Sequence, residues 1–122
     1  MHELAIAQSI VETVMTRARE CGATHVKLVR LQIGEASGIM IDSLAFSFEM
    51  LTSLDSLLDE TQLLIESIPH VARCGACAQE FAIVNLVPLC PICQQWSGDI
   101  ISGTELQIQE MEIETVTPVM EE

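Results

Sequence analysis

Positive charge is scarce in this sequence. Its 122 residues include 5 lysine and arginine side chains against 18 aspartate and glutamate side chains, a formal net charge of −13. Nucleic-acid binding relies on clustered lysine and arginine to contact phosphates, and this chain has no such cluster. The composition therefore argues against a nucleic-acid partner. The acidity itself has two interpretations: it keeps the protein soluble, or it meets a basic partner or attracts cations.

Long apolar runs are missing as well. No stretch approaches the ~18–20 apolar residues of a membrane span, and the first residues lack the basic and apolar regions of a signal peptide. Without a secretory context, we expect reduced cysteines and a cytoplasmic protein. Because 49% of the residues are hydrophobic, the chain should be globular, with room for one ordinary core and one small satellite.

Signatures of catalysis are also lacking. The sequence shows no glycine-rich phosphate loop, no metal motif with an open coordination position and no nucleophile–base pair. We therefore interpret the chain as a protein that is not an enzyme.

Four of the five cysteines form two pairs, Cys74-x2-Cys77 and Cys90-x2-Cys93, with twelve residues between the pairs. Two such turns can complete a tetrahedral shell around one zinc ion, and four thiolates leave no open position for water or substrate. The pattern predicts a structural zinc. A redox dithiol and a pair of disulfides are the alternatives. Because this segment has few apolar residues, we expect it to unfold without the metal.

The hydrophobic periodicity predicts an α+β fold. The predicted elements are a helix over 3–20, a strand over 25–33, a helix over 43–57 with Asp42 as its N-cap, and strands over 61–68 and 104–114. The apolar residues of the first strand change phase after Leu28, which indicates a bulge or burial of both faces. The last strand changes phase near Gln109–Glu110, where we expect a bulge.

These elements predict a small mixed three-stranded sheet with two helices on one face and an inserted four-cysteine, zinc-ribbon-like domain. Strands joined through a helix are normally parallel. We expect residues 1–70 and 99–116 to form an α/β domain, residues 71–98 the inserted zinc-binding domain, and residues 117–122 an acidic frayed tail. The sheet face without helices is either solvated or a dimer contact, so we expect a monomer or a weak homodimer.

The amino terminus, Met1-His2-Glu3, suggests a second metal site. Histidine is large enough that we expect Met1 to be retained, with a free amine beside the imidazole. An amine and an imidazole can both act as neutral nitrogen ligands around physiological pH. An ion on His2 can also displace nearby amide protons, and square-planar nitrogen sites suit nickel(II) and copper(II). An incidental surface histidine is the alternative.

Three further side chains could bind metal but lack partners in the sequence. Cys21 and His25 flank the end of the first helix without a third ligand, and we interpret both as structural. His70 lies just before the zinc segment, where four cysteines already complete the shell.

Several stretches together resemble the HypA/HybF family of hydrogenase nickel-incorporation proteins. They are MHELAIAQSIVETV, VKLVRLQIGEASGI, IDSLAFSFEMLT, the paired Cys-x2-Cys with CPIC as the second pair, and SGTELQIQEMEIE. The resemblance is colinear from residue 1 to about 114. It implies a cytoplasmic nickel metallochaperone whose α/β domain binds nickel(II) as transferred cargo and whose inserted domain holds structural zinc(II). It also implies three partners: a HypB-type GTPase, the large subunit of NiFe-hydrogenase and, in some organisms, urease maturation proteins.

By position, the resemblance places nickel on His2, with Met1 and Glu3 supplying or supporting neighbouring nitrogen ligands. The zinc ligands that it implies are Cys74, Cys77, Cys90 and Cys93. Asp42 matches an acidic residue of the family, where a carboxylate could hydrogen-bond the imidazole, although N-capping also explains it.

One departure from the family affects the cysteine turns. Many members have glycine directly after the second cysteine of each pair, whereas this chain has Ala78 and Gln94, which predicts a positive φ at non-glycine residues. No histidine adjoins the cysteines, so we do not expect pH sensing at the zinc. The alternative to nickel delivery is a zinc-stabilised protein–protein adaptor without its own nickel cargo.

Overall fold

The computed structural model describes residues 2–116. In chain order its elements are α1 (Glu3–Glu20), β1 (Ala23–Gly34), α2 (Ile41–Thr52), β2 (Gln62–Ile68), β3 (Val71–Arg73), β4 (Glu80–Ala82), β5 (Asp99–Ser102) and β6 (Leu106–Thr115). Within the described range, no helix has the length and apolar character needed to cross a membrane. Met1 and the predicted tail at 117–122 lie outside the described residues.

α1 is the amphipathic helix that the periodicity predicts. Its buried residues follow one helical face and are Ala7, Ile10, Val11, Val14 and Ala18. Glu3 in the first turn and Arg17 and Arg19 in the last turn complement the helix dipole. The helix ends at Glu20 with Cys21 as its C-cap, and Gly22 then adopts a φ of 69°, a left-handed conformation that glycine reaches without a steric cost.

α2 begins and ends earlier than predicted. Asp42 is not the N-cap, because Met40 holds that position. Asp42 lies in the first turn, where its negative charge interacts favourably with the positive end of the helix dipole. The predicted extension to residue 57 is wrong, because α2 ends at Thr52. Beyond that end, the Asp55 side chain accepts a hydrogen bond from the Leu57 N–H at 2.8 Å. A short polar side chain that binds nearby backbone in this way competes with the helix.

β1 is the central strand of a three-stranded sheet with the order β2-β1-β6. Hydrogen-bonded partners run in opposite directions along β1 and β6, which are therefore antiparallel: Thr24 with Glu114, and Arg30 with Glu110. Partners of the β1 and β2 region run in the same direction: Val26 with Thr61, and Glu35 with Ile68. The sheet is mixed, as the crossover through α2 predicts.

The predicted changes of apolar phase are present in both long strands. In β1, Leu28 and Val29 are adjacent and both are buried. In β6 the half-buried positions change from Ile108 to Met111 and Ile113. The adjacent buried residues of β1 require either a bulge or burial on both faces of the strand, the two alternatives that the sequence indicates.

A second three-stranded sheet, with the order β4-β3-β5, carries the cysteine pairs. β3 is antiparallel to both neighbours. Its buried cluster contains only five residues, two of them cysteines: Ala72, Cys74, Phe81, Ile83 and Cys90. So small an apolar cluster gives little stability without a further crosslink. Two helices, one mixed sheet and a separate small sheet with four cysteines confirm the α+β prediction.

The described chain divides into two compact units. The first contains residues 2–31, Ile39–Ile65 and 108–116, and it includes both helices, which pack against each other. The second contains Gln32–Gly38 and Glu66–Gln107, and it includes the small sheet. We refer to these as the helical unit and the cysteine unit.

Candidate metal centres

The two cysteine pairs lie in matching backbone turns. In each turn the first cysteine donates its N–H to the carbonyl five residues later, and the residue four positions later donates its N–H back to that cysteine. The four bonds are 2.9 Å long and join Cys74 to Gln79, Ala78 to Cys74, Cys90 to Gln95, and Gln94 to Cys90. The shared spacing in sequence thus produces the same local structure twice.

Ala78 and Gln94 both have a φ of 61°. This confirms the prediction that the residue after each pair adopts the left-handed conformation. For a residue with a Cβ atom the conformation costs roughly 1–2 kcal/mol. Each turn therefore stores some backbone strain while it directs its cysteines inward.

The four sulfur atoms converge on one point, all within 4.8 Å of one another. The Sγ atoms of Cys74 and Cys93 are 3.3 Å apart, and those of Cys77 and Cys90 are 3.7 Å apart. Tetrahedral zinc with ~2.3 Å bonds holds its sulfurs about 3.8 Å apart, whereas a disulfide needs about 2.05 Å. The spacing fits one tetrahedral ion, and it does not fit the disulfide alternative.

Access to these sulfurs is limited. Cys74 and Cys90 are buried, and Cys77 and Cys93 are half-buried. Four sulfurs around one point leave no coordination position for a substrate. The cluster is therefore suited to holding an ion and not to exchanging ligands on it.

Backbone N–H groups and neighbouring thiols shift the pKa values of the paired cysteines in different directions. The N–H of Cys77, the thiol of Cys93 and the N–H of Ala76 lower the pKa of Cys74 to about 6. The N–H of Cys93 lowers the pKa of Cys90. The hydrogen-bond contact with the Cys74 sulfur raises the pKa of Cys93 to about 12. A bound dication favours the thiolate form of every cysteine that it contacts.

His2 lies at the exposed start of the helical unit. It is the N-cap residue of α1, and its carbonyl accepts a hydrogen bond from the Ile6 N–H at 3.0 Å. Its imidazole forms no capping hydrogen bond. His2 is exposed to solvent, and its carbonyl is held by the hydrogen bond from Ile6. Met1, the predicted amine ligand, lies outside the described residues.

The Glu3 carboxylate binds within the protein. Its Oε2 accepts a hydrogen bond from the backbone N–H of Met40, the N-cap of α2, at 3.2 Å. This bond is the main cause of a lowered pKa for Glu3. The contact joins the beginnings of the two helices, so that the first residues of α1 lie beside the turn of α2 that contains Asp42. Nothing in the sequence pointed to this contact, because its partner is a backbone group 37 residues away.

Cys21, His25 and His70 do not join a metal cluster. Among the described residues, the four paired cysteines are the only group of three or more side chains placed to share one ion. Cys21 is exposed, and the His25 Nδ1 lies 3.6 Å from a carboxylate oxygen of Glu114. His70 donates its backbone N–H to Glu35 at 3.4 Å.

Comparison with known proteins gives the same picture. Residues 1–113 match the family described as HypA, hydrogenase/urease nickel incorporation, metallochaperone. The hydrogenase maturation factor HypA of Geotalea uraniireducens is 40% identical over 114 residues, 93% of this chain and 100% of that protein. Its counterpart in Geobacter metallireducens is 37% identical over the same shares. The solution structure of the Ni metallochaperone HypA from Helicobacter pylori matches in fold, with a TM-score of 0.67 at 22% identity, over 95% of this chain and 100% of that one.

A metallochaperone carries metal and does not transform a substrate, so the family confirms the interpretation that the chain is not an enzyme. The family match extends over nearly the whole chain, and the cysteine cluster fits zinc. This chain belongs to the HypA family of hydrogenase and urease nickel-incorporation metallochaperones.

Proposed function

We propose that this HypA-family chain binds its nickel(II) cargo at the amino terminus, through His2, and uses the four paired cysteines only for a structural zinc. The observation that supports this most is the difference between the two donor sets. The sulfurs are convergent and partly buried, whereas the His2 imidazole is exposed. Cargo must be loaded and released, and an exposed site allows both.

In this proposal Cys74, Cys77, Cys90 and Cys93 hold the zinc, and the ion crosslinks the two matching turns. The sulfur spacing supports the assignment, because it lies close to that of a tetrahedral thiolate site. When bound, the zinc supplies folding free energy to the small cluster of the cysteine unit. In this proposal the inserted domain predicted at residues 71–98 depends on the zinc for its stability.

The nickel ligands that we propose are the His2 imidazole, the Met1 amine and backbone nitrogens at His2 and Glu3. Glu3 is the first residue of α1, and the first four N–H groups of a helix have no partner within the helix. Nickel can therefore replace an amide proton there without breaking a helical hydrogen bond. The Glu3 carboxylate already accepts the Met40 N–H, which favours a backbone role for Glu3.

The position also favours moderate affinity. The positive end of the helix dipole repels a dication, although each lost amide proton offsets one unit of that charge. Asp42, which is not the N-cap, lies in the first turn of α2, and we propose that its carboxylate supports the imidazole.

The partners in this proposal are a HypB-type GTPase and the large subunit of NiFe-hydrogenase, with urease maturation proteins as the further recipient. The family description, which names hydrogenase and urease nickel incorporation, supports this assignment. We place the protein in the cytoplasm, where the thiols that hold zinc remain reduced.

The test compares nickel(II) titrations of the untagged chain, His2→Ala and a form extended by one residue at the amino terminus. We expect both changes to weaken nickel binding by at least about tenfold, because each removes a ligand. Zinc content should stay at one ion per chain. His25→Ala is the matched control, since His25 is also exposed but lies in β1, beyond the other end of α1. Unchanged nickel affinity in the altered forms would favour the protein–protein adaptor.

A further inference from the structure

The turn between Val84 and Val87 contains an unusual residue. The two valines form an antiparallel bridge, and the Val87 N–H donates to the Val84 carbonyl at 3.0 Å. Between them, Asn85 has a φ of 52° and Leu86 a φ of 64°. Two central residues with positive φ are typical of a type I′ turn, for which Asn-Gly is the preferred pair. Leucine occupies the place where glycine would be favoured.

Nothing within the turn compensates for this leucine. A bulky residue at positive φ is rare, because its Cβ atom approaches the following carbonyl oxygen. Leu86 is 70% exposed, and Val84 is 67% exposed, so burial within the chain does not offset the strain. An apolar side chain held outward in an unfavourable conformation is explained by a contact outside the chain.

A cleft of about 290 Å³ lies beside the turn and within the cysteine unit. Asn85 and Leu86 line one part of it, and the buried side chain of Ile83 gives it an apolar wall. Glu35 supplies a carboxylate, which accepts the backbone N–H of His70 at 3.4 Å. His70 also lines the cleft, beside Glu35. The lining thus combines an apolar surface with one anionic group, Glu35, which suits a cationic side chain with an aliphatic stem.

We infer that Val84, Leu86 and Val87, together with the cleft that contains Glu35 and Ile83, form a docking surface for a partner protein. The segment that it binds carries a lysine or arginine beside a large apolar side chain. The cation contacts Glu35, and the apolar side chain packs on Leu86. We call these five residues the turn–cleft surface.

The net negative charge of the chain favours a basic segment over the other possible occupants of the turn–cleft surface. At a net charge of −13 the chain repels acidic segments, nucleic acid, anionic membranes and its own copies. A basic segment is attracted, and electrostatic attraction speeds association most at low salt. The inference concerns the cysteine unit and holds whether or not nickel binds at His2.

The probes are short synthetic peptides of equal length, one alternating lysine and leucine, one alternating glutamate and leucine, and one with lysine and serine. They are titrated into the zinc-loaded full chain by fluorescence anisotropy and by amide chemical-shift mapping. We expect the lysine–leucine peptide to bind most tightly and to shift the amides of residues 84–87 and Glu35. Leu86→Gly and Glu35→Gln should each weaken that binding at least about fivefold.

Leu86→Gly separates recognition from stability, because it creates the preferred Asn-Gly turn. Its melting temperature should equal or exceed that of the parent, while its affinity for the peptide falls. Ala78→Gly is the matched control: it relieves a similar φ outside the turn–cleft surface and should leave the affinity unchanged.

Four results would each overturn the inference. The first two are absence of peptide binding and equal affinities of the parent and Leu86→Gly for the peptide. The third is a set of chemical-shift changes centred on other acidic residues, such as those of β6. The fourth is a lower melting temperature for Leu86→Gly, which would make the leucine a structural residue. Chemical shifts at residues 84–87 that change with protein concentration in the absence of peptide would also contradict it, by assigning the surface to a second copy.

Discussion

Single residues in this protein adopt conformations that glycine would adopt more readily. Ala78 and Gln94 complete the two cysteine turns at a φ of 61°, and Leu86 occupies the exposed turn at 64°. In the cysteine turns the strain is compensated by convergence of the sulfurs, because a bound ion would stabilise both turns together. Strain at Leu86 has no such internal compensation.

The strain at Ala78 can be measured. Ala78→Gly removes the left-handed penalty of about 1–2 kcal/mol but adds about 0.5–1 kcal/mol of lost chain entropy. We expect the zinc-loaded variant to be as stable as the parent, or up to about 1 kcal/mol more stable, in denaturant unfolding. Gly75→Ala is the control in the same turn, since a Cβ atom there meets nothing within 4 Å. Destabilisation of Ala78→Gly by more than about 1 kcal/mol would contradict this account of the turn.

A substitution at Glu3 tests whether its carboxylate or its backbone nitrogen takes part in nickel binding. Glu3→Gln keeps an oxygen that can accept the Met40 N–H, and it leaves the backbone nitrogen in place. We expect nickel affinity within about threefold of the parent in isothermal titration, a smaller loss than at His2. A loss as large as that of His2→Ala would show that the carboxylate itself binds the ion.

Among the elements, the long ones were predictable and the short ones were not. α1, β1, β2 and β6 each carry enough apolar residues for a period to be recognised. The sequence places the end of α2 too late because Leu54 and Leu57 continue the helical period beyond Thr52, whereas the Asp55 side chain binds the backbone N–H of Leu57 there. β3, β4 and β5 contain only 3 or 4 residues each, too few to show a period.

The candidate sites also differ in whether the sequence predicts them. The sulfur cluster followed from sequence because two Cys-x2-Cys turns fix most of the geometry locally. The Glu3–Met40 contact and the cleft beside Leu86 depend on residues far apart in the chain, and neither leaves a local signal. A strained Asn-Leu pair was also missed, because the usual hairpin signal at that place is Asn-Gly.

Zinc removal tests the dependence of the small sheet on the cluster. Only three of its five buried residues are not cysteines, so chelation or Cys90→Ala should abolish hydrogen-exchange protection in β3, β4 and β5. Protection in α1 should persist, because its buried face packs within the helical unit. Cys21→Ala, which removes the exposed fifth cysteine, is the control and should leave both patterns intact. Protected β3–β5 amides in zinc-free protein would contradict a structural role for the metal.

For the whole molecule, the distribution of charge and donors suits a carrier. Three of the five basic residues are already paired with glutamates, namely Lys27, Arg30 and Arg73. The remaining acidic surface attracts cations and basic proteins over a distance of about a Debye length. The sulfurs and the exposed imidazole belong to different units, so the zinc and nickel sites that we propose need not compete.

The most direct test of this separation is X-ray absorption at the nickel and zinc edges of untagged full chain that carries one ion of each metal. We predict a nickel shell of nitrogen and oxygen with imidazole scattering that disappears in His2→Ala, and a zinc shell of four sulfurs that the substitution leaves unchanged. Sulfur in the nickel shell, or displacement of zinc by added nickel, would contradict the claim that the cargo binds apart from the cysteines.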